Sequence, residues 1–574
     1  MTVVPPGLSH LCGAATPALL DLTIGEALAR AADCWGGREA LVSVAQDIRW
    51  SFAELLDRAD ALGAGLLALG LQPGDRIGIW SPNCAEWAFT QFAAARIGLI
   101  LVTINPAYRL SEVEYTINKV GLRALIAAER FKTSEYAVMI ETLCPELAAS
   151  VPGQLEAARL PTLKCAILIG GEARPGWIPF AEAAASRGTE AVSRLSAQLR
   201  PDDPINIQFT SGTTGLPKGA TLSHRNILNN GYFVGRAQGL GPDDRICVPV
   251  PLYHCFGMVM GNLAGIAHGA AVVYPSPGFD PEAVLHAVAA ERCTALYGVP
   301  TMFIALLAHP GLPDTDVSSL RTGCMAGAIC PEPLMREVIG RLNLRDVTIA
   351  YGMTETSPVS FQTATDDPLA RRTGSIGRVQ PHLECKLIGE DGDVVPIGTP
   401  GELCTRGYSV MLGYWDEPER TAEAIDADGW MHSGDLAVFD AEGYGNIVGR
   451  LKDMVIRGGE NIYPREIEEF LYGHPAVEDV AVVGVPDTRM GEELCVWVRL
   501  RPGAEIDAEA IRGFCEGKIA HFKIPRHVRI VQTFPVTVTG KIQKYLIREA
   551  MIAELGLETT GLPFAAAGNE ENPK

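Results

Sequence analysis

Residues 210–219 of this chain have the sequence TSGTTGLPKG. Its glycines allow the backbone to turn N–H groups toward a phosphate, and its hydroxyls add further donors. A Walker A loop is excluded, because no glycine precedes the lysine and neither serine nor threonine follows it. The run therefore predicts a phosphate-binding loop made of Thr210, Ser211, Gly212, Thr213, Thr214 and Gly215, with Lys218 as its positive charge.

The segments around this loop alternate helical periodicity with short apolar, β-branched runs, which is typical of an α/β protein. Ser51 and Glu54 form a capping box before a helix, and a strand is predicted at 76–80. Residues 63–68 match the relaxed dinucleotide pattern G-x-G-x-x-A. We reject that interpretation, because the pattern lies within the helical period and not in a strand-to-helix turn.

The bulk composition is that of a large acidic globular protein. A chain of 574 residues is too long for one compact core, so at least two folding units are expected. The net charge of −20 argues against nucleic-acid binding, which leaves a basic footprint. An anionic substrate would have to be met by a local positive site.

Compartment and membrane association are predicted from cysteine usage and apolar runs. The 14 cysteines include no C-x-x-C pair, which favours reduced thiols in a cytosolic protein over zinc or redox sites. The first twenty residues resemble neither a secretory signal nor an Arg-rich transit peptide. The apolar stretch 92–104 is interrupted by Arg96 and is too short to span a bilayer. We expect a cytoplasmic protein without a membrane span.

A change in amino-acid composition marks a domain boundary. Between Glu442 and Gly459 the chain becomes glycine-rich and charged, and a helix at 464–472 and a strand at 479–485 follow. We predict an N-terminal domain at 1–451 and a small α+β domain at 452–574.

The run TSGTTGLPKG resembles the phosphate loop of the adenylate-forming superfamily, which includes acyl-CoA synthetases, peptide-synthetase adenylation domains and beetle luciferases. Later runs agree in order, namely YGMTET at 351–356, HSGD at 432–435, GRLKD at 449–453, GGENIYPREIE at 458–468 and TGKI at 539–542. The likeness extends from about Ile24 to Leu555. It implies an α/β fold, with a large multi-sheet N-terminal domain that binds ATP and the acid, and a smaller, mobile α+β C-terminal domain that carries the catalytic lysine.

The resemblance assigns roles around the nucleotide. Tyr351 would stack on adenine, Thr354 would contact the α-phosphate, and Glu355 would help to hold Mg²⁺. A single carboxylate is adequate for that ion, which also uses substrate phosphates. Gly327 and Ala328 would form the flat wall beside adenine, although the flanking residues depart from the family's Gly-Gly-Ala-Pro run.

The ribose is assigned to Asp435 and Arg450, with a buried structural Asp–Arg pair as the alternative.

Lys541 is implied to be the catalytic lysine. An ammonium that bridges the carboxylate and the α-phosphate would offset the charge of two anionic reactants. Lys452 corresponds to the hinge between the two domains. Gly458 and Gly459 would line the pantetheine channel of CoA, where glycine lets the backbone pass close to a thin ligand.

The acid is predicted to lie against the run PLYHCFG at 251–257. His254 would approach its carboxylate as a catalytic residue, in place of the Asp of amino-acid-activating relatives; a structural histidine is the alternative. Apolar and adaptable side chains follow, and we assign the pocket to Tyr253, Phe256, Met258, Val299 and Met302. The chain is most similar to the medium-chain acyl-CoA ligase subgroup, and an aryl or alicyclic acid is the competing substrate.

The predicted activity is ATP-dependent ligation of a carboxylic acid to free coenzyme A through an acyl-adenylate, with release of AMP and pyrophosphate. Free CoA is favoured because only a short tail follows Lys541, without a carrier domain. The alternatives are a stand-alone adenylation enzyme that loads a carrier protein, a luciferase-like oxidiser of the adenylate, and a nucleotide-binding protein without catalysis. The oligomeric state is left open, with a homodimer as one alternative.

Overall fold

The computed structural model describes residues 7–151, 153–186, 188–210, 217–328, 330–458, 460–537 and 542–557. These residues form two compact units. The first contains residues up to Ser433 together with Ala437–Ile447, and the second contains Gly434–Leu436 and the chain from Val448 onward.

An eight-stranded sheet of the first unit carries the phosphate-loop run on its antiparallel side. Apart from Gly413–Tyr414 and Lys218–Ser223, which make the antiparallel pairs, the six remaining strands are parallel to one another. Strands such as Ala124–Ala128 are buried along their whole length, which explains their near-continuous apolar sequence. In spatial order the strands are Gly413–Tyr414, Lys218–Ser223, Pro204–Thr210, Ile100–Thr103, Arg76–Trp80, Ala124–Ala128, Cys165–Ile169 and Trp177–Pro179.

A nine-stranded sheet has a parallel centre and antiparallel edges. In spatial order its strands are Arg378–Val379, Val359–Gln362, Asp346–Gly352, Thr322–Ala326, Ala295–Gly298, Arg245–Cys247, Ala271–Tyr274, Glu39–Ser43 and Ile48–Ser51. A third sheet, of five strands, consists of His10–Cys12, Leu383–Ile388, Gly401–Gly407, Met431–Phe439 and Gly445–Arg450.

Helices cover the sheets and pack with them into separate apolar clusters, the largest of which includes residues of Ile24–Trp35, Phe52–Ala68 and Ala85–Ile97. The predicted capping box is present, since Ser51 accepts from the backbone of Glu54 while the Glu54 carboxylate accepts from the Ser51 backbone. The rejected dinucleotide pattern lies inside the helix Phe52–Ala68. A Cβ at Gly65 would lie 1.8 Å from the Ala183 carbonyl oxygen, so this glycine serves a close helix contact.

The helices of the first unit are Ile24–Trp35, Phe52–Ala68, Ala85–Ile97, Leu110–Val120, Tyr136–Leu143, Phe180–Ala183, Glu190–Ser196, His224–Ala237, Ala264–His268, Pro281–Ala290, Pro300–Ala308, Glu332–Arg341, Leu369–Gly374 and Pro418–Ala424. A π-helix, Phe256–Leu263, precedes Ala264–His268. Single 3₁₀ turns lie at Val44–Gln46, Pro145–Ala149, Leu312–Asp314 and Thr354–Thr356. No helix in the described ranges combines the length and apolar character needed to cross a membrane.

The second unit is α+β. Its sheet consists of Glu460–Ile462, Val455–Arg457, Gly491–Leu500 and Val477–Asp487, with His527–Ile530 paired to Gly491–Leu500. Alternate residues of the two long strands pack into two different apolar clusters, one containing helices Pro464–Tyr472 and Ala508–Cys515, the other containing Lys544–Leu555. This period of two is why both faces of the strands are apolar. Single 3₁₀ turns lie at Leu451–Asp453 and His521–Lys523.

Candidate active site

The base of the predicted phosphate loop is a β-hairpin. Strands Pro204–Thr210 and Lys218–Ser223 are antiparallel, and Thr210 and Lys218 are directly opposite each other. The residues between them include Ser211, Gly212, Thr213, Thr214 and Gly215, which lie outside the described residues. The ladder therefore fixes the two ends of the loop, and the phosphate contacts of its centre stay a prediction.

The predicted adenine wall follows two neighbouring parallel strands. Thr322–Ala326 leads into Gly327 and Ala328, and Asp346–Gly352 contains Tyr351 near its end. Ligands of parallel α/β sheets bind beyond the carboxyl ends of the strands, where these residues lie. Gly327 has a φ of +86°, a conformation that favours glycine.

Glu355 is a buried carboxylate in the single turn Thr354–Thr356, with 6% of the residue exposed. Its Oε1 accepts from the hydroxyl of Thr210 at 3.3 Å and from the hydroxyl of Tyr414 at 2.9 Å. Burying an acid is costly unless it is hydrogen-bonded, and these two donors meet that need without adding a positive charge. The arrangement leaves the carboxylate suited to a cation beside a phosphate loop.

Tyr414 is a residue of this site that the sequence analysis missed. It lies in the strand Gly413–Tyr414, which pairs with Lys218–Ser223 so that Tyr414 is opposite Ala220. The Lys218 ammonium lies 4.7 Å from the centroid of the Tyr414 ring. No local sequence signal marks this position, because the pairing joins segments almost two hundred residues apart.

His254 precedes the π-helix and is half-buried. Its Nδ1 accepts from the backbone N–H of Phe256 at 3.2 Å, so the neutral ring carries its proton on Nε2. Cys255 lies between His254 and Thr354, with its Sγ 3.6 Å from Nδ1 and 4.0 Å from Thr354 Oγ1. Burial raises the pKa of this thiol to about 12, so it is a neutral part of the site at physiological pH.

Four of the predicted acid-pocket residues belong to one apolar cluster: Phe256, Met258, Val299 and Met302. The Phe256 ring stacks on Tyr297 with centroids 5.8 Å apart. Met258 receives the side-chain amide of Gln208 on its sulfur at 3.3 Å, and Gln208 lies two residues before Thr210 on the same strand. The fifth residue, Tyr253, is half-buried with its ring edge-on to His254 at 6.4 Å.

Asp435 and Arg450 form an ion pair in the second unit, with 2.7 Å between Arg450 Nε and Asp435 Oδ1. The Asp435 side chain is 9% exposed and that of Arg450 is 38% exposed. An ion pair of this kind is compatible with both the ribose assignment and the structural alternative. Their contact with ribose stays a prediction.

Other predicted residues of the second unit lie in turns and loops. Gly458 has a φ of +61°, a conformation that favours glycine. Lys452 is exposed in the turn Leu451–Asp453. Gly459 and Lys541 lie outside the described residues, although an antiparallel bridge between Val536 and Ile542 closes the segment that contains Lys541.

Residues 28–415 match the AMP-binding enzyme family, and residues 466–541 match the AMP-binding enzyme C-terminal domain. The medium-chain acyl-CoA ligase ACSF2 of Rattus norvegicus is 44% identical over 563 residues, which cover 96% of this chain and 91% of that protein.

Two solved structures share the fold over nearly their whole length. The anthranilate CoA ligase AuaEII with anthranoyl-AMP has a TM-score of 0.83 and 27% identity, covering 95% of this chain and 100% of that one. ATP-bound MatB from Rhodopseudomonas palustris has a TM-score of 0.80 and 29% identity, covering 92% and 99%.

The fold is that of the adenylate-forming enzymes, which confirms the predicted α/β architecture with its smaller α+β unit. The chain belongs to the AMP-binding enzyme family.

Proposed function

We propose that this protein is an ATP-dependent acid–CoA ligase that activates a medium-chain fatty acid as its acyl-adenylate. The observation that carries the proposal is the contact between Thr210 and Glu355. It brings the phosphate-loop hairpin and a buried carboxylate together, beside the ends of the strands that form the adenine wall. This juxtaposition is suited to the triphosphate of ATP.

The residues present fit a magnesium ion, because Glu355 offers a buried carboxylate oxygen next to the ends of the phosphate loop. Glu355 would hold the ion, which would neutralise phosphate charge when bound. Lys218 adds a positive charge at the base of the loop. Thr354 contacts the α-phosphate through its hydroxyl.

In the first half-reaction an oxygen of the substrate carboxylate attacks the α-phosphorus of ATP. The bond from that phosphorus to the bridging oxygen breaks, and pyrophosphate leaves. Lys541 offsets the charge shared by the carboxylate and the α-phosphate. His254, with its proton on Nε2, donates to the carboxylate and orients it for in-line attack.

In the second half-reaction the thiolate of CoA attacks the carbonyl carbon of the acyl-adenylate. The carbon–oxygen bond to AMP breaks, so that AMP leaves and the thioester forms. Gly458 and Gly459 line the path of the pantetheine arm. Asp435 and Arg450 hold the ribose throughout, with their ion pair keeping the two side chains oriented.

A fatty acid is favoured by the lining of the predicted pocket, in which Phe256, Met258, Val299 and Met302 present buried apolar side chains. The rat relative carries the name of a medium-chain acyl-CoA ligase. An aryl acid is the second candidate, because the anthranilate CoA ligase shares the fold and Phe256 and Tyr297 present an aromatic pair.

The partners of this function are a carboxylic acid, ATP and CoA, without nucleic acid. A homodimer and a cytoplasmic location stay predictions from the sequence; the rat relative is named as mitochondrial.

The function is tested by measuring AMP release with ATP and Mg²⁺ across straight-chain acids from acetate to palmitate, plus benzoate, with and without CoA. We expect CoA-dependent turnover in which kcat/KM rises about fourfold per added methylene, as burial of about 0.8 kcal/mol per methylene implies, until the pocket is filled. Adenylate formation with no transfer to CoA would indicate that a carrier protein, and not CoA, accepts the acyl group. A maximum on benzoate would favour the aryl acid.

Met302→Ala tests the pocket directly. The cavity left by the shorter side chain should move the optimum to longer acids, at a stability cost of about 2–5 kcal/mol. The matched control is Met335→Ala, which shortens a methionine in a separate apolar cluster and should lower the melting temperature without moving the optimum. An unchanged chain-length profile in Met302→Ala would remove this residue from the pocket.

A further inference from the structure

The segment 411–415 is hydrogen-bonded to both parts of the predicted phosphate site, the hairpin strand and the turn that contains Glu355. The backbone N–H of Trp415 donates to Gly219 O at 2.8 Å, and that of Leu412 donates to Thr221 O at 2.9 Å. On the other side, the N–H of Met411 donates to the backbone carbonyl of Glu355 at 2.9 Å. The segment therefore connects the strand that begins at Lys218 with the turn that contains Glu355.

Within this segment the Tyr414 hydroxyl donates to Glu355 Oε1 at 2.9 Å. A carboxylate only accepts hydrogen bonds, so the phenol is the donor of this contact. The backbone carbonyl and the side-chain carboxylate of Glu355 both accept hydrogen bonds from this segment, so the side chain loses rotamer freedom. A metal ligand with one defined orientation needs such partners.

The face of the same ring is directed toward the phosphate-loop lysine. Tyr414 is opposite Ala220, and Lys218 is two positions away on the neighbouring strand, a diagonal distance that long side chains can bridge. The Lys218 ammonium lies 4.7 Å from the ring centroid, within the range of a cation–π contact. One aromatic side chain thus contacts the predicted metal ligand through its hydroxyl and the predicted phosphate lysine through its ring.

We propose that Tyr414 is a positioning residue of the adenylation site, which fixes the Glu355 carboxylate for a divalent cation and the Lys218 ammonium for the phosphates of ATP. This inference rests on the proposed function. Tyr414 need not contact the acid or ATP itself, because it acts through Glu355 and Lys218. The two roles can be tested separately, since the hydroxyl contacts Glu355 and the ring contacts Lys218.

The test compares Tyr414→Phe, which keeps the ring, with Tyr414→Leu, which removes both ring and hydroxyl. Mn²⁺ is titrated into each full-length protein with a non-hydrolysable ATP analogue, and bound ion is measured by electron paramagnetic resonance. Affinity for the analogue without metal is measured by calorimetry. We expect Tyr414→Phe to weaken Mn²⁺ binding about tenfold, the lower end for loss of a partner to a metal ligand, with metal-free nucleotide affinity retained. Tyr414→Leu should weaken both.

Tyr408→Phe is the matched control, since this half-buried tyrosine lies six residues earlier and its ring packs on Phe233. It should bind Mn²⁺ and nucleotide as the unaltered protein does. Wild-type Mn²⁺ affinity in Tyr414→Phe would overturn the role of the hydroxyl. Equal nucleotide affinity in Tyr414→Phe and Tyr414→Leu would overturn the role of the ring.

Glu355→Gln separates this inference from the proposed function. If Glu355→Gln loses Mn²⁺ binding while Tyr414→Phe does not, only the positioning role fails. If Glu355→Gln also binds Mn²⁺ normally, the metal-holding role of Glu355 fails with it. Thermal melting of each variant reports whether the fold is intact.

Discussion

Lys541→Ala should lower the rate of acyl-adenylate formation by about 10²-fold or more, because the transition state loses a positive charge that no neighbouring water replaces equally well. Thioester formation from supplied acyl-adenylate should be largely retained, since the α-phosphorus has already reacted in that half-reaction. Pyrophosphate exchange measures the first step, and CoA-thioester formation from synthetic acyl-AMP measures the second.

Lys518→Ala is the control for loss of one lysine, because Lys518 is an exposed residue of the same unit. It should leave both half-reactions unchanged. If Lys541→Ala slows both half-reactions equally, Lys541 is not specific to adenylation, and the assignment of separate residues to the two steps is wrong.

Gly459→Leu should produce the opposite result, with thioester formation blocked and pyrophosphate exchange continuing. A leucine side chain in a channel that fits the thin pantetheine arm would fill the space that the ligand needs. Single-turnover measurements should show acyl-adenylate accumulating on the enzyme, since CoA no longer removes it.

The control is Gly513→Leu, in the helix Ala508–Cys515 of the same unit, where an added Cβ meets nothing within 4 Å. That variant should complete both steps. Unimpaired thioester synthesis in Gly459→Leu would show that Gly459 does not line the CoA channel, whatever the rate of adenylation.

Local sequence patterns predicted several elements of the fold. The capping box at Ser51 and Glu54, the strand at 76–80, the helix at 464–472 and the strand at 479–485 all appear in the structure. Each depends on residues within a few positions of one another, so the signal is contained in a short stretch of sequence.

The candidate site was assigned from motifs, and the roles of its residues stay predictions. Glu355, Thr354 and Lys218 lie in recognisable motifs, and the structure places Thr210 and Glu355 in contact. The ion pair between Asp435 and Arg450, with 2.7 Å between Oδ1 and Nε, does not decide between the ribose assignment and the structural alternative. The π-helical form of Phe256–Leu263 was not predicted, because its apolar residues fit an ordinary helix equally well.

The sequence by itself determined the class of fold and the residue types available for adenylation, because contiguous motifs contain them. Only the tertiary structure decided that Tyr414 lies against both Glu355 and Lys218. That position depends on the pairing of Gly413–Tyr414 with Lys218–Ser223. The register of such a pair is set by packing and by hydrogen bonds between distant segments, so no stretch of neighbouring residues contains it.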